Sequence, residues 1–249
     1  MNKWKQFTES FKLKINFVHV ILLDLVFYLI MIPVTYLAVF LMQAQADKID
    51  ITGLQSAVAA ETPDLMQMQA MVGELQAFLI MVIVTAVLFF IVALFSYSFS
   101  RSLIWNYLLK KKLRIGKYLK FVVLNLMLVI PAAVLSLLPF VFIGASVIVS
   151  AVLFYIVMTA VAYFVFMLYM EYTKTGKIFA SIGNAFKRIN EKTAVSYLLC
   201  LLAFGVLMVV YLLISWLGKM EIVGATIFFL ILALLYFAWM RLYILKVQD

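Results

Sequence analysis

The sequence predicts an all-α integral membrane protein: six transmembrane helices in three hairpins, with basic amphipathic segments on the cytoplasmic side. Three observations carry that prediction. First, 67% of the 249 residues are hydrophobic and 12% are charged, with a mean hydropathy of +1.15; soluble chains are roughly half apolar and about a quarter charged. Second, six apolar runs each approach the ~20 residues a helix needs to cross the hydrocarbon. They are residues 17–41, 77–99, 118–140, 145–169, 194–216 and 222–239. Third, basic residues gather in every second connection, which is the bias that orients membrane helices.

The first run follows Lys3, Lys5, Lys12 and Lys14 and precedes Ala44-Gln45-Ala46, an arrangement like a signal peptide and its cleavage site. A signal core spans only about 7–15 residues, so the run reads as an uncleaved anchor that forms the first helix. Residues 44–76 then make the outer loop. Runs three and four are separated only by Val141 to Gly144, after Pro139, and runs five and six by Gly218-Lys219-Met220-Glu221; both links predict tight hairpins. Pro33 and Pro131 lie inside runs one and three and are expected to bend their helices. No Pro/Gly/Ser-rich linker divides the chain, so residues 1–249 read as one polytopic domain.

Charge fixes the expected orientation. Segments 1–16, 100–117, 170–193 and 240–249 hold the great majority of the lysines and arginines, including Arg101, Lys174 and Arg241. The opposite side carries Asp47, Asp50, Glu61, Asp64, Glu74 and Glu221 against Lys48 and Lys219. Both termini are therefore expected in the cytoplasm, with the protein in the plasma membrane. The net charge of +9 is absorbed by topology and anionic headgroups, which leaves no call for nucleic acid. In "KIFASIGNAFKRI", Ile178, Ile182, Phe186 and Ile189 recur at helical spacing between Lys177, Lys187 and Arg188, the pattern of a helix lying in the headgroup plane. Trp4, Phe7 and Phe11 repeat it near the N-terminus, and "SLIWNYLLKKKLRIGKYLK" either repeats it again or continues the second helix. Lys110, Lys111, Lys112, Arg114, Lys177, Lys187 and Arg188 are the expected contacts to anionic lipid, beside a possible membrane-protein partner.

The stretch "EYTKTGKIFASIGNAFKRINEKTAVSYLL", with a short amphipathic helix leading into the fifth run, resembles a group of prokaryotic six-helix membrane proteins. That group is similar to the membrane domain attached to some glycerophosphodiester phosphodiesterases. The resemblance implies an accessory or lipid-contacting role and brings no catalytic residues, because the chemistry of such enzymes belongs to a soluble domain that this sequence does not contain.

Motifs for chemistry are scarce. His19 is the one histidine, so a two-His zinc motif cannot be built, and no G-x-S-x-G elbow accompanies it. It is expected to snorkel to the inner interface or to bond a neighbouring helix. The Gly-Lys pairs at 116, 176 and 218 lack the rest of a phosphate loop. Cys200, the one cysteine, sits in an apolar run and reads as an inert core thiol. Met66, Met68 and Met71 carry soft thioethers suited to Cu(I), yet Leu65, Met68, Val72 and Leu75 share a helix face, and packing explains these methionines better. No cofactor is called for, and the chain reads as non-enzymatic.

That leaves Asp24, a carboxylate within "HVILLDLVFYLIMIPVTY". At about 100° per residue, Asp24, Tyr28 and Thr35 fall within about 40° of one another, while His19 lies about 140° from Asp24. The stripe is expected to face the protein interior. Two readings stay open: a protonated Asp24 joining helices through hydrogen bonds, with Tyr28 as its nearest partner, or a proton- or cation-handling site in which Asp24 titrates and Tyr28 and Thr35 orient. The second would make the chain a small transporter or channel. Under both, Asp24→Asn is expected to leave folding intact.

Overall fold

A computed structural model describes residues 7, 15–47, 49, 65–141, 147–189, 191–218 and 222–248. Among them are seven helices and no strand: α1 (Ile15–Ala46), α2 (Leu65–Leu108), α3 (Ile115–Val141), α4 (Val147–Thr175), α5 (Ile178–Lys187), α6 (Glu191–Leu217) and α7 (Ile222–Gln248). All but α5 are long and apolar enough to cross a membrane. Several outrun the spans that hydropathy marks. α2 has 44 residues, about 66 Å of helix against a hydrocarbon thickness of about 30 Å, and "SLIWNYL" continues the second helix to Leu108. Both α1 and α3 run on through Pro33 and Pro131.

Helix ends follow from local chemistry. α2 stops in a Schellman motif: the Lys111 amide donates to the Asn106 carbonyl (2.8 Å) and the Lys110 amide to that of Tyr107 (3.2 Å). Lys110 takes φ +51° there, a left-handed conformation that glycine ordinarily supplies. α4 ends at Gly176, with φ +69° and its amide on the Tyr172 carbonyl at 2.7 Å. Lys177 is extended (φ −121°, ψ 121°) and leads directly into α5.

The chain divides into two compact units, Met1–Leu25 with Ser98–Asp249, and Val26–Tyr97. In the first, α4 is the hub on which α3, α5, α6 and α7 pack. Val20, Ile104 and Ala238 form a buried cluster flanked by Phe17, Ile21, Leu23 and Leu108, joining the start of α1 to the end of α2 and to α7. Tyrosines tie α4, α6 and α7 by donating to carbonyls of neighbouring helices: Tyr155 to Leu201, Tyr197 to Ile156 (3.0 Å) and Tyr236 to Cys200 (3.0 Å). A hydroxyl in an apolar surrounding needs such a partner. Cys200 itself is buried. Phe7 is buried too, edge-on to Trp239 (5.6 Å) and Tyr243 (5.8 Å), so this aromatic packs on α7 instead of facing headgroups; Trp4 and Phe11 lie outside the described residues.

In the second unit, Met31, Ala38, Thr85 and Ser96 are buried. Phe27 meets the edges of Tyr28 and Tyr97 at 5.3 and 5.8 Å. Leu29, Ile32, Ile80 and Ile83 are exposed, as befits side chains whose solvent is lipid.

Candidate functional site

Asp24 is buried, with 1% of its side chain exposed, and both carboxylate oxygens are taken. Oδ1 accepts from Nη1 of Arg101, on α2, and Oδ2 from Nη1 of Arg241, on α7. These arginine side chains are only 9% and 2% exposed. The Arg241 guanidinium also lies over the Phe166 ring of α4, 4.8 Å from its centroid, a cation–π contact strengthened by the absence of water. Three helices thus meet at one carboxylate, and α4 joins them through Arg241. Beside it, Ser100 Oγ donates to the Leu23 carbonyl at 2.8 Å, holding α2 against α1 one residue from each charged partner.

The charge state follows from the donors. Guanidinium is always protonated and can only donate, so two of them on the two oxygens of one carboxyl fit the ionised form of Asp24. Taken alone the triad carries one net positive charge. The Tyr169 hydroxyl donates to Asn125 Oδ1. Asn125 Nδ2 in turn donates to Ser98 Oγ at 2.8 Å. Ser98, Asn125 and Tyr169, on α2, α3 and α4, form a second buried polar group beside the triad's helices.

The stripe on α1 does not behave as one face. Asp24 is buried, Tyr28 half-buried and Thr35 exposed. The buried line on α1 instead follows Asp24, Met31 and Ala38. That is a seven-residue spacing, which drifts about 20° per repeat away from the side where Tyr28 and Thr35 project. The expected bond from Tyr28 gives way to charged partners, and the charge-assisted bonds are about twice as strong. Asp24 is accordingly ion-paired with Arg101 and Arg241 and not bonded to Tyr28. His19 is exposed, its Nδ1 donates to the Ile15 carbonyl of its own helix at 2.8 Å, and its ring stacks on Tyr107 at 5.3 Å.

A second charged cluster centres on Glu171, near the end of α4 and also buried. Oε1 meets Arg188 Nη2 at 3.0 Å and Lys174 Nζ at 3.9 Å, and Oε2 accepts from Asn184 at 3.5 Å. The contact turns Arg188 toward Glu171, with 33% of its side chain still exposed. Lys110, Lys111, Lys112, Arg114, Lys177 and Lys187 remain exposed.

Sequence reasoning missed Arg101, Arg241 and Glu171 as buried groups, because each sits near the edge of an apolar run where charge is ordinarily a topology signal. A usable sign was present: Arg241 is followed by Leu242-Tyr243-Ile244-Leu245 and Arg101 by Leu103-Ile104-Trp105, so neither marks a helix end. Among the described residues, no three of His, Cys, Asp and Glu group to hold a metal. The side chains of Met66, Met68 and Met71 lie outside the described residues. An open cleft between α6 and α7, lined by Phe204, Met208, Tyr211 and Phe229, has no charged side chain. No family model, curated protein or solved structure matches the chain.

Proposed function

We propose that this chain is a non-enzymatic membrane protein acting as an accessory or scaffold subunit in contact with anionic lipid, with Asp24 as a structural clasp. The observation that carries the reading is the pairing of Asp24 with both Arg101 and Arg241. A carrier carboxylate must release and rebind its proton or cation, whereas two guanidiniums fixed on both oxygens disfavour that cycle. The resemblance read from the sequence of residues 171–199 implies the same role. Sealed liposomes containing the protein are expected to pass protons and small cations no faster than empty ones. A protein-dependent flux that Asp24→Asn abolishes while leaving the protein folded would reverse the assignment in favour of a transporter.

In this reading both termini and the α2–α3 connection face the cytoplasm across the plasma membrane. With Cys200 replaced, an impermeant thiol reagent applied to intact cells is expected to label Gln55→Cys, in the outer loop, and to spare Lys112→Cys. The reverse pattern would invert the orientation.

A further inference from the structure

We infer that the α2–α3 connection and the outer face of α5 form one docking surface for an anionic phospholipid leaflet, built from exposed lysines interleaved with exposed apolar side chains. This rests on the membrane reading above. α5 turns its small residues inward: Ser181 and Ala185 are fully buried, and the Ser181 and Thr175 hydroxyls lie 2.8 Å apart. Its two phenylalanines turn outward, Phe179 78% and Phe186 58% exposed, while Ile178 and Ile182 are half-buried. A helix on a water-facing surface would bury those rings. Lys177 and Lys187 bracket them at the two ends of α5 and are exposed.

The α2–α3 connection repeats the combination. Lys110, Lys111 and Lys112 are exposed, and Ile115 beside them is 79% exposed. The left-handed Lys110 places a cation where glycine would relieve the backbone, a local cost that marks the lysine as useful. The two segments adjoin. α3 packs on α5, Tyr172 donates to the Lys117 carbonyl at 2.7 Å, and the Lys117 side chain lies against Gly176, where α4 passes into α5.

Charge complementarity and position select the occupant. Both segments follow the end of a membrane-length helix by a few residues; in the membrane reading they face the headgroups of one leaflet, where anionic lipid attracts lysine and rings insert to the acyl boundary. Lys117, turned toward Gly176, takes no part.

The test uses the full chain, with Cys200→Ala, reconstituted in vesicles and carrying an environment-sensitive fluorophore on Phe179→Cys. Brominated phosphatidylglycerol is expected to displace unbrominated phosphatidylcholine around the probe about fivefold better than brominated phosphatidylcholine does, the factor that a single lysine near the surface supplies. Exchanging Lys110, Lys111, Lys112, Lys177 and Lys187 for glutamine is expected to bring the ratio to about one, with quenching retained because the rings still insert. Lys117→Gln is expected to keep the ratio. Equal quenching by the two lipids with the lysines intact, or selectivity lost with Lys117→Gln alone, would overturn the inference. So would an inserted protein whose probe escapes quenching and is instead shielded by an acidic soluble protein. Failure of the membrane reading looks different: the protein itself would be extracted by alkaline carbonate.

Discussion

Asp24→Ala is expected to lower the stability of the detergent-solubilised chain by about 3–5 kcal/mol, the usual cost of removing one partner from a buried ion pair. The reason is the state left behind. Arg101 and Arg241 are both buried and both directed at the same carboxylate; without it two like charges face each other in a medium too apolar to screen them. Asp24→Asn is expected to fare little better, because it keeps the shape and loses the charge, and an amide nitrogen turned toward either guanidinium opposes donor to donor. This reverses the tolerance of Asn that a lone protonated Asp24 implies. A third variant separates clasp from packing. Converting Asp24, Arg101 and Arg241 together to apolar residues of similar volume is expected to recover most of the loss, since well-packed apolar replacements of buried ion clusters are often neutral or stabilising. Thermal unfolding followed by size-exclusion fluorescence measures all three. An Asp24→Ala protein that melts with the parent would show that the clasp does not support the fold.

The clasp also shows which parts of the molecule could be read in the sequence. Helix number and approximate position follow from apolar runs, and α5 follows from Ile178, Ile182 and Phe186 at helical spacing, because both signals are local. The polarity of Asp24 was equally plain. Its partners were not, since they lie 77 and 217 residues away and no periodicity links positions at such separations. Arg101 and Arg241 obey the charge bias of helix ends as well as they fit a buried clasp, and hydropathy cannot distinguish the two uses. The same holds for Glu171 and Arg188: the amphipathic pattern counts Arg188 on the polar side of α5, and only the fold turns it toward α4. Tyr28 failed for another reason. Its angular distance from Asp24 on an ideal helix is small, but the buried line of α1 is set by the seven-residue spacing of Asp24, Met31 and Ala38.

Glu171→Gln is expected to loosen α5 from α4 while leaving the six long helices in place. The α5 helix has only ten residues, too few to persist on their own in water, and its attachment is concentrated at a few points. Glu171 contributes the charged one, with Arg188 at 3.0 Å and Asn184 at 3.5 Å. Hydrogen bonds to charged groups are worth about 1.5–3 kcal/mol; Arg188 is one-third exposed, so screening reduces the figure to about 1–2 kcal/mol. The readout is the reactivity of Ser181→Cys, a near-isosteric replacement at a fully buried position that becomes accessible only when α5 swings away. With Cys200→Ala as background, its labelling rate is expected to rise roughly five- to thirtyfold with Glu171→Gln, by the conversion of about 1.4 kcal/mol per decade. Arg188→Gln is expected to have a similar effect, and the pair together no more than either alone, because both remove the same contact. Lys174→Gln serves as the control: its ammonium stands 3.9 Å from Glu171 and is about one-third exposed, so it should change the rate less than twofold. Strictly additive effects of Glu171→Gln and Arg188→Gln would mean that the two residues act through separate contacts and not through the ion pair between them.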